Sequence, residues 1–386
     1  MNFELSQSQS ELRDAARRFA QEQMLEVAND IEKSGTALSR EWVKRYAEMG
    51  FLGINVSESY GGMGLGNLEA LVVLEEFAKV SSAVAFPIFE SSVGPVRAIE
   101  YFANENLKQR IIPEVCAGEL IVAVAMSEPQ AGTALTDLKT RAEIKGDKII
   151  LNGNKRWCSG GGHSDAYVVY CKLSDAPGAK GIGAVLVEKT RAGVSFGEQE
   201  QLMGFRGIPS ADIYFDQVEL PLDNLIVPSG GFPKLMEAFD LERCGNATMA
   251  LGQASGALED VLAYVQERQQ FGKELVEFQA VQIKLAEMAM RVEAARLLIH
   301  RAAVNSEKGL PSIFESSTAK CFTNEIAREV TSDAVQLMGG YGYSKEYPME
   351  RRMRDSWGWG IAGGTIDIQK INIAASMVGR RFDQRK

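Results

Sequence analysis

The stretch ATMALGQASGALEDVLAYV, residues 247–265, decides the class of the fold. In it Ala247, Leu251, Ala254, Leu258, Val261 and Val265 recur at steps of four and three, which lines one face of a helix with apolar groups. Val281, Leu285, Met288, Val292, Ala295 and Ile299 repeat that spacing after a break from Gln270 to Gln279. Two long amphipathic helices so joined are half of an antiparallel bundle. Helical spacing near Ser316 to Met338 and Ile366 to Val378 completes it, so 232–386 reads as a C-terminal four-helix bundle.

Upstream the period changes. Ile121 to Ala125, Lys148 to Leu151, Tyr167 to Lys172, Ile182 to Val187 and Ile213 to Phe215 are short β-like runs bounded by Gly, Asp, Asn or Pro. No regular alternation of strand and helix accompanies them, so 121–231 is expected to be an antiparallel, barrel-like β domain. Over 1–120 the chain reads helical, with Leu12, Ala16, Phe19 and Ala20, then Leu71, Leu74, Phe77 and Ala78, at helical spacing. Asn104 to Arg110 looks like a further helix with Pro113 at its edge. Tyr60-Gly61-Gly62-Met63-Gly64-Leu65-Gly66 does not fit GxGxxG and reads as a loop. The expectation is α+β: helices, a β domain, then a helical bundle.

Lys and Arg number 42 against 51 Asp and Glu in 386 residues, a net charge of −9 that repels nucleic acid and anionic membranes. The longest run without a charge, Cys244 to Leu258, is too short to cross a bilayer, which takes about 20 apolar residues. Glu4, Glu11 and Asp14 near the start leave no apolar core for a secretory signal, so a cytoplasmic setting is expected. Cys116, Cys158, Cys171, Cys244 and Cys321 form no CxxC pair, which argues against zinc and a disulfide framework. With only His163 and His300 as histidines, and neither in HExxH spacing, no metal centre or histidine triad is expected. The chemistry must rest on carboxylates or a borrowed cofactor.

Five words carry more information than the element order. They are Met126-Ser127-Glu128-Pro129-Gln130-Ala131-Gly132-Thr133, Leu151-Asn152-Gly153-Asn154-Lys155-Arg156-Trp157, Phe215-Asp216-Gln217-Val218-Glu219-Leu220-Pro221, Glu267-Arg268-Gln269-Gln270-Phe271-Gly272-Lys273 with Gln279, and Gln336-Leu337-Met338-Gly339-Gly340-Tyr341-Gly342-Tyr343. In this order and spacing, over essentially the whole chain, they resemble the acyl-CoA dehydrogenase family. The resemblance implies a homotetramer or homodimer with bound FAD. It implies oxidation of an acyl-CoA, or acyl-carrier, thioester to the 2,3-enoyl thioester, with electrons passed to an electron-transfer flavoprotein. A carboxylate takes the α-proton, the β-hydride goes to the flavin, and a backbone N–H helps polarise the thioester carbonyl.

By the same resemblance, Met126, Ser127, Trp157 and Ser159 border the flavin, and Thr133 lies toward the thioester. Arg268, Phe271, Gln336 and Gly340 grip the FAD diphosphate and adenine from a neighbouring subunit, and Thr365 and Asp367 join the cofactor set. Asp240, Arg243 and Phe86 fall to the substrate side.

One position departs from the pattern. Family members usually read Ile-Tyr-Glu-Gly-Thr before the last helix, and in many that Glu is the base; here Ile361-Ala362-Gly363-Gly364-Thr365 stands. A hydrogen at Gly363 accepts no proton. Glu242, in Phe239-Asp240-Leu241-Glu242-Arg243, matches the place from which the isovaleryl- and long-chain branches present their base. Small Ala362 and Gly363 suggest room for a branched or bulky acyl group. The same departure, with Ser127-Glu128-Pro129, Ala131-Gly132, Thr140-Arg141-Ala142, the Gly160 to Gly162 triplet and Met203 to Pro209, also resembles 3-sulfinopropionyl-CoA desulfinases, which cleave a C–S bond without net oxidation. Those are expected to carry an arginine where Phe86 falls, and to lack a carboxylate at Glu242. An enoyl-CoA reductase and a catalytically silent flavin- or CoA-binding protein are the other readings.

Overall fold

The structure, a computed structural model, describes residues 3–382. Among them, α1 (Gln7–Gln23), α2 (Leu25–Ser34), α3 (Arg40–Glu48), α4 (Asn67–Val80), α5 (Ser82–Ser92), α6 (Val96–Phe102) and α7 (Glu105–Cys116) precede the first strand. Pro113 lies inside α7 rather than at its edge, because Ile111, Ile112, Val115 and Cys116 carry the buried face past it. Phe19, Tyr46, Phe51 and Phe77 pack with ring centroids 5.0–5.9 Å apart, edge to face except for the tilted Phe19–Phe77 pair, and lock α1, α3 and α4 together.

The strands are β1 (Val122–Ala125), β2 (Arg141–Lys145), β3 (Lys148–Ser159), β4 (Ala166–Lys172), β5 (Ile182–Glu188), β6 (Val194–Phe196), β7 (Ser210–Pro221) and β8 (Leu225–Val227). They hydrogen-bond in the order β6-β7-β3-β2-β4-β5-β8, with β1 on β4. This overturns the expected antiparallel barrel. The sheet is mixed, since β1 and β2 both run parallel to β4, and it does not close, since β6 and β8 end it. The sign in the sequence was Ala166 to Cys171, six consecutive buried residues with no polar alternation, as in a strand covered on both faces.

Then come α8 (Phe232–Glu267), a hairpin of β9 (Gln269–Gln270) and β10 (Lys273–Glu274), α9 (Gln279–Ser306), α10 (Ile313–Met338), α11 (Gly340–Tyr343), α12 (Met349–Trp359) and α13 (Ile366–Val378). Helices α8, α9, α10 and α13 form the C-terminal bundle, and α4 packs against α8 from the N-terminal side. Gly252 permits that approach, because a Cβ there would lie 2.3 Å from the Ala78 Cβ. No described helix is long and apolar enough to cross a membrane.

Glu75 ties three of these helices. Its carboxylate on α4 receives the Arg296 guanidinium of α9 at 2.8 Å and the Ser255 hydroxyl of α8 at 3.2 Å. Burial pushes its pKa up, but Arg296, helped by Lys79 and His300, outweighs burial and holds it at about 2. A carboxyl depressed on folding contributes stability above its unfolded value near 4.5, lost as pH falls toward 2. Glu75→Gln is therefore expected to cost about 3 kcal/mol at pH 7, with the gap to the parent closing between pH 4.5 and 2. Denaturant melts across that range measure it; a deficit independent of pH would contradict it.

Candidate active site

Helix α8 builds the acidic part of the site. Asp240 and Arg243, one turn apart and buried, hydrogen-bond each other, and the Ser316 hydroxyl of α10 donates to Asp240 at 2.6 Å. The Arg243 guanidinium also lies 5.3 Å from the Phe239 ring centroid. Asp240 and Arg243 thus pair with one another, while the buried Arg243 Nε has no acceptor among the described residues. Glu242 does not join them: among the described residues no hydrogen bond or ion pair reaches its carboxylate. It keeps a partly accessible surface, yet the protein around it is dense enough to push its pKa up to about 8, against the lowering pull of Lys320 and Arg243.

Phe239, Glu242 and Asn246 stand three and four residues apart, on one face of α8. The turn at 361–364 lies against that face. A Cβ on Gly363 would sit 3.5 Å from the Phe239 ring, 3.7 Å from Asn246 Nδ2 and 3.3 Å from Lys320 Nζ. Asn246 Nδ2 also donates to the Ala362 carbonyl at 3.3 Å. Glu242 lies between Phe239 and Asn246 along α8, on the side of the helix that meets the turn. The room expected beside Gly363 is filled in part by Lys320 and Phe239.

Gly363 and Gly364 have φ of +65° and +87°, the left-handed region that glycine adopts without strain. Their carbonyls point inward: Lys320 Nζ donates to Ala362 and, at 3.2 Å, to Gly363, while Gln369 Nε2 donates to Gly364 at 2.9 Å. The N–H groups of Gly363 and Gly364 find no protein acceptor among the described residues. Thr365 caps α13 by accepting from the Ile368 N–H, and Asp367 lies exposed in its first turn.

The β-sheet side is set by a bulge. The pairing of β3 with β7 slips between Lys155 and Cys158, which re-aims Trp157. Trp157 has φ +60° and is 54% exposed, with the Arg156 guanidinium 4.1 Å from its ring centroid. A strained, exposed indole is costly unless something covers it. Buried Lys155 donates to the Met126 carbonyl at 3.0 Å and pairs with Glu128 at 2.8 Å, while the Arg156 N–H donates to the Ser127 carbonyl at 2.9 Å. The Met126–Ser127 loop is thereby pinned beside Trp157 and Ser159, with Thr133 exposed farther along. Phe86 stacks on Phe89 at 5.7 Å, and Phe89 lies 6.0 Å from Trp359.

A separate cleft of about 560 Å³ in the C-terminal bundle brings Arg268 and Gly340 together with Tyr264, Tyr341 and Tyr347. Arg268 is exposed, faces the Tyr341 ring at 5.8 Å, and has no carboxylate partner among the described residues. Phe271, on the hairpin tip, is 93% exposed, and Gln336 is exposed on α10. A flat exposed indole and an unpaired guanidinium beside open glycine backbone suit a ring system and a diphosphate. No group of three metal-ligating side chains occurs among the described residues.

Sequence reasoning missed Lys320, Asn246, Glu90 and Tyr170. Burial, and then the charge of Glu242, push the Glu90 and Tyr170 pKa values upward, so α5 and β4 face Glu242 too. A signal existed for Lys320. Ser316, Lys320 and Asn324 step by four along the buried face of α10, a polar row where apolar side chains are the rule.

Family models for the acyl-CoA dehydrogenase N-terminal, middle and C-terminal domains match residues 6–119, 123–218 and 229–378. The probable acyl-CoA dehydrogenase fadE25 of Mycobacterium leprae is 36% identical over 378 residues, 97% of each chain. The 3-sulfinopropanoyl-CoA desulfinase of Paraburkholderia xenovorans is 36% identical over 391 residues, covering 100% of this chain and 99% of the other. Butyryl-CoA dehydrogenase from Megasphaera elsdenii superposes with a TM-score of 0.94 at 32% identity, covering 98% of this chain and 100% of its own.

A methyl group at Gly363 must adopt the left-handed conformation and press on Lys320. Gly363→Ala is expected to destabilise the protein by about 1 kcal/mol, seen as a lower melting temperature. An unchanged melting temperature would show that the turn relaxes freely.

Proposed function

This chain belongs to the acyl-CoA dehydrogenase family, and from that premise we propose that Glu242 is the base with which it oxidises an acyl-CoA to the 2,3-enoyl thioester. The observation that carries the reading is the meeting of two absences: Gly363 has no side chain, and Glu242, on the α8 face toward it, has no partner. The protein holds FAD, as the family does, and the bound flavin supplies the acceptor for the β-hydride. Exposed Trp157 beside the Met126–Ser127 loop supports a role in covering the flavin ring, and unpaired Arg268 beside the Gly339–Gly340 backbone supports a role in meeting a diphosphate.

Glu242 in its ionised form takes the proton from the thioester α-carbon. An α-proton is weakly acidic, and a carboxylate raised to about 8 is a far stronger base than one near 4.5. The Gly363 N–H, free of protein acceptors, is the donor toward the thioester oxygen, where negative charge gathers as the proton leaves. A base on the α8 helix accords with the isovaleryl- and long-chain branches of the family.

Assembly into a homotetramer is supported by Ile283, Met290, Leu297 and Val304, exposed apolar residues seven apart along α9, a face suited to another helix. Five buried, free cysteines accord with a reducing, cytoplasmic setting. An electron-transfer flavoprotein as acceptor comes from the family. A second reading, C–S cleavage of 3-sulfinopropionyl-CoA, is favoured by the equal identity to the desulfinase and by the buried cations Lys320 and Arg243.

Anaerobic bleaching of the bound flavin over a panel of acyl-CoAs tests the dehydrogenase reading, and sulfite release tests the second. Glu242→Gln is expected to retain FAD while bleaching slows by roughly 10³-fold. Because the ionised form acts, kcat/KM of the parent is expected to rise with pH through about 8. Bleaching at the parent rate in Glu242→Gln would refute the assignment.

A further inference from the structure

Lys320 is completely buried, and the reaction described above gives it no part. Its ammonium donates to two successive carbonyls, Ala362 and Gly363, in the turn that carries the vacant position. Asn246 reaches the same Ala362 carbonyl, and Asn324 holds Asn246 in turn, its Nδ2 3.0 Å from Asn246 Oδ1. In a trans peptide the C=O of residue 362 and the N–H of residue 363 point in opposite directions. Pinning the Ala362 carbonyl toward Lys320 therefore aims the Gly363 N–H away from it, outward from the helix packing.

A lysine buried without a carboxylate in contact is unusual, because desolvation of the charged form is compensated only by pairing. No ion pair within 4 Å involves Lys320 among the described residues, and its electrostatic partner is Glu242 at longer range. Resting on the reading of Glu242 as base, we propose that Lys320 is a positioning residue for the reaction: it fixes the Ala362–Gly363 peptide so that the Gly363 N–H is aimed at the thioester oxygen.

Burial and the neighbouring Arg243 lower the Lys320 pKa to about 7, while Glu242 works in the other direction. Glu242, at about 8, is lowered by Lys320 ahead of Arg243. The other titratable groups toward the pair are Asp240 on α8, tied to Arg243 and Ser316; Glu90 on α5; Tyr170 on β4; and Cys321 on α10. On α13, Lys370 is paired with Glu325 at 2.6 Å, away from the site. On α12, Asp355 accepts from the Phe205 N–H at 2.7 Å and Arg352 pairs with Asp260.

Three substitutions test the donor: Lys320→Arg and Lys320→Gln each keep a donor for the turn, and Lys320→Met keeps none. The probe is a 3-thia-acyl-CoA of the chain length chosen by the bleaching panel. Sulfur replaces its β-carbon, so it can lose the α-proton but no hydride. The long-wavelength absorbance of its enolate against bound flavin, followed as a function of pH, reads the base directly.

With the donor to the turn lost, the enolate is less well held: the midpoint is expected to rise by about one unit in Lys320→Met, a tenfold loss of enolate at a fixed lower pH, and to stay near the parent in Lys320→Gln and Lys320→Arg, which keep a donor. Affinity for the probe should fall further in Lys320→Met than in Lys320→Gln. An unmoved midpoint in Lys320→Met, with FAD retained, overturns the proposal. Glu242→Gln is the separate control: a band that still titrates there would sink the base assignment itself, whatever Lys320 does.

Discussion

Burial of ionisable groups where α8, α10 and the 361–364 turn meet is the constraint on which the functional architecture depends. A carboxylate and an ammonium taken out of water without touching each other each lose hydration, and each moves toward neutrality. Glu242 rises to about 8 and Lys320 falls to about 7. A proton then moves between carboxylate and surroundings at small cost near neutral pH, which is what a base for a weak carbon acid needs. Had the two formed a tight ion pair, Glu242 would be held low and would be a poor base.

The surrounding elements keep that arrangement from collapsing. Arg243, the other cation nearby, is paired with Asp240, which is itself fixed by Ser316. The turn is held by side chains from three helices, Asn246 on α8, Lys320 on α10 and Gln369 on α13, so the missing side chain at Gly363 leaves its backbone as well anchored as before. Below it, Glu75 fastens α4, α8 and α9, and Gly252 lets α4 lie close against α8. The buried α5, which carries Glu90 and Phe86, is connected to the bundle through the Trp359 indole, whose N–H donates to Ser82 at 3.1 Å.

The long helices were legible in the sequence because their apolar spacing is sustained over many turns, as in Ala247 to Val265. The strands were legible only in part. β3 and β7 each run 12 residues, but bulges near Gly153 and Trp157 interrupt their alternation, so only fragments stood out. The direction in which β1 and β2 pair with β4 is a tertiary property with no local signature, and this is where the barrel expectation failed. At the site, Glu242 was visible through the family resemblance and the vacancy at Gly363. Lys320 was not, since a lysine in a helix ordinarily belongs to a solvated face, and only the packing of α10 against α8 and the turn reverses that. Trp157 was visible as a word in a motif, but its left-handed backbone and the cation over its ring were not.

The most direct measurement is the protonation of Glu242 itself, by infrared difference titration of the protonated-carboxyl stretch in the FAD-loaded protein, with Glu242→Gln and Glu90→Gln to assign the bands. The structure requires a band that titrates at about 8 and vanishes in Glu242→Gln but persists in Glu90→Gln. A Glu242 band titrating near the ordinary 4.5 would mean that the carboxylate stands in water, and the assignment of the base would fall with it.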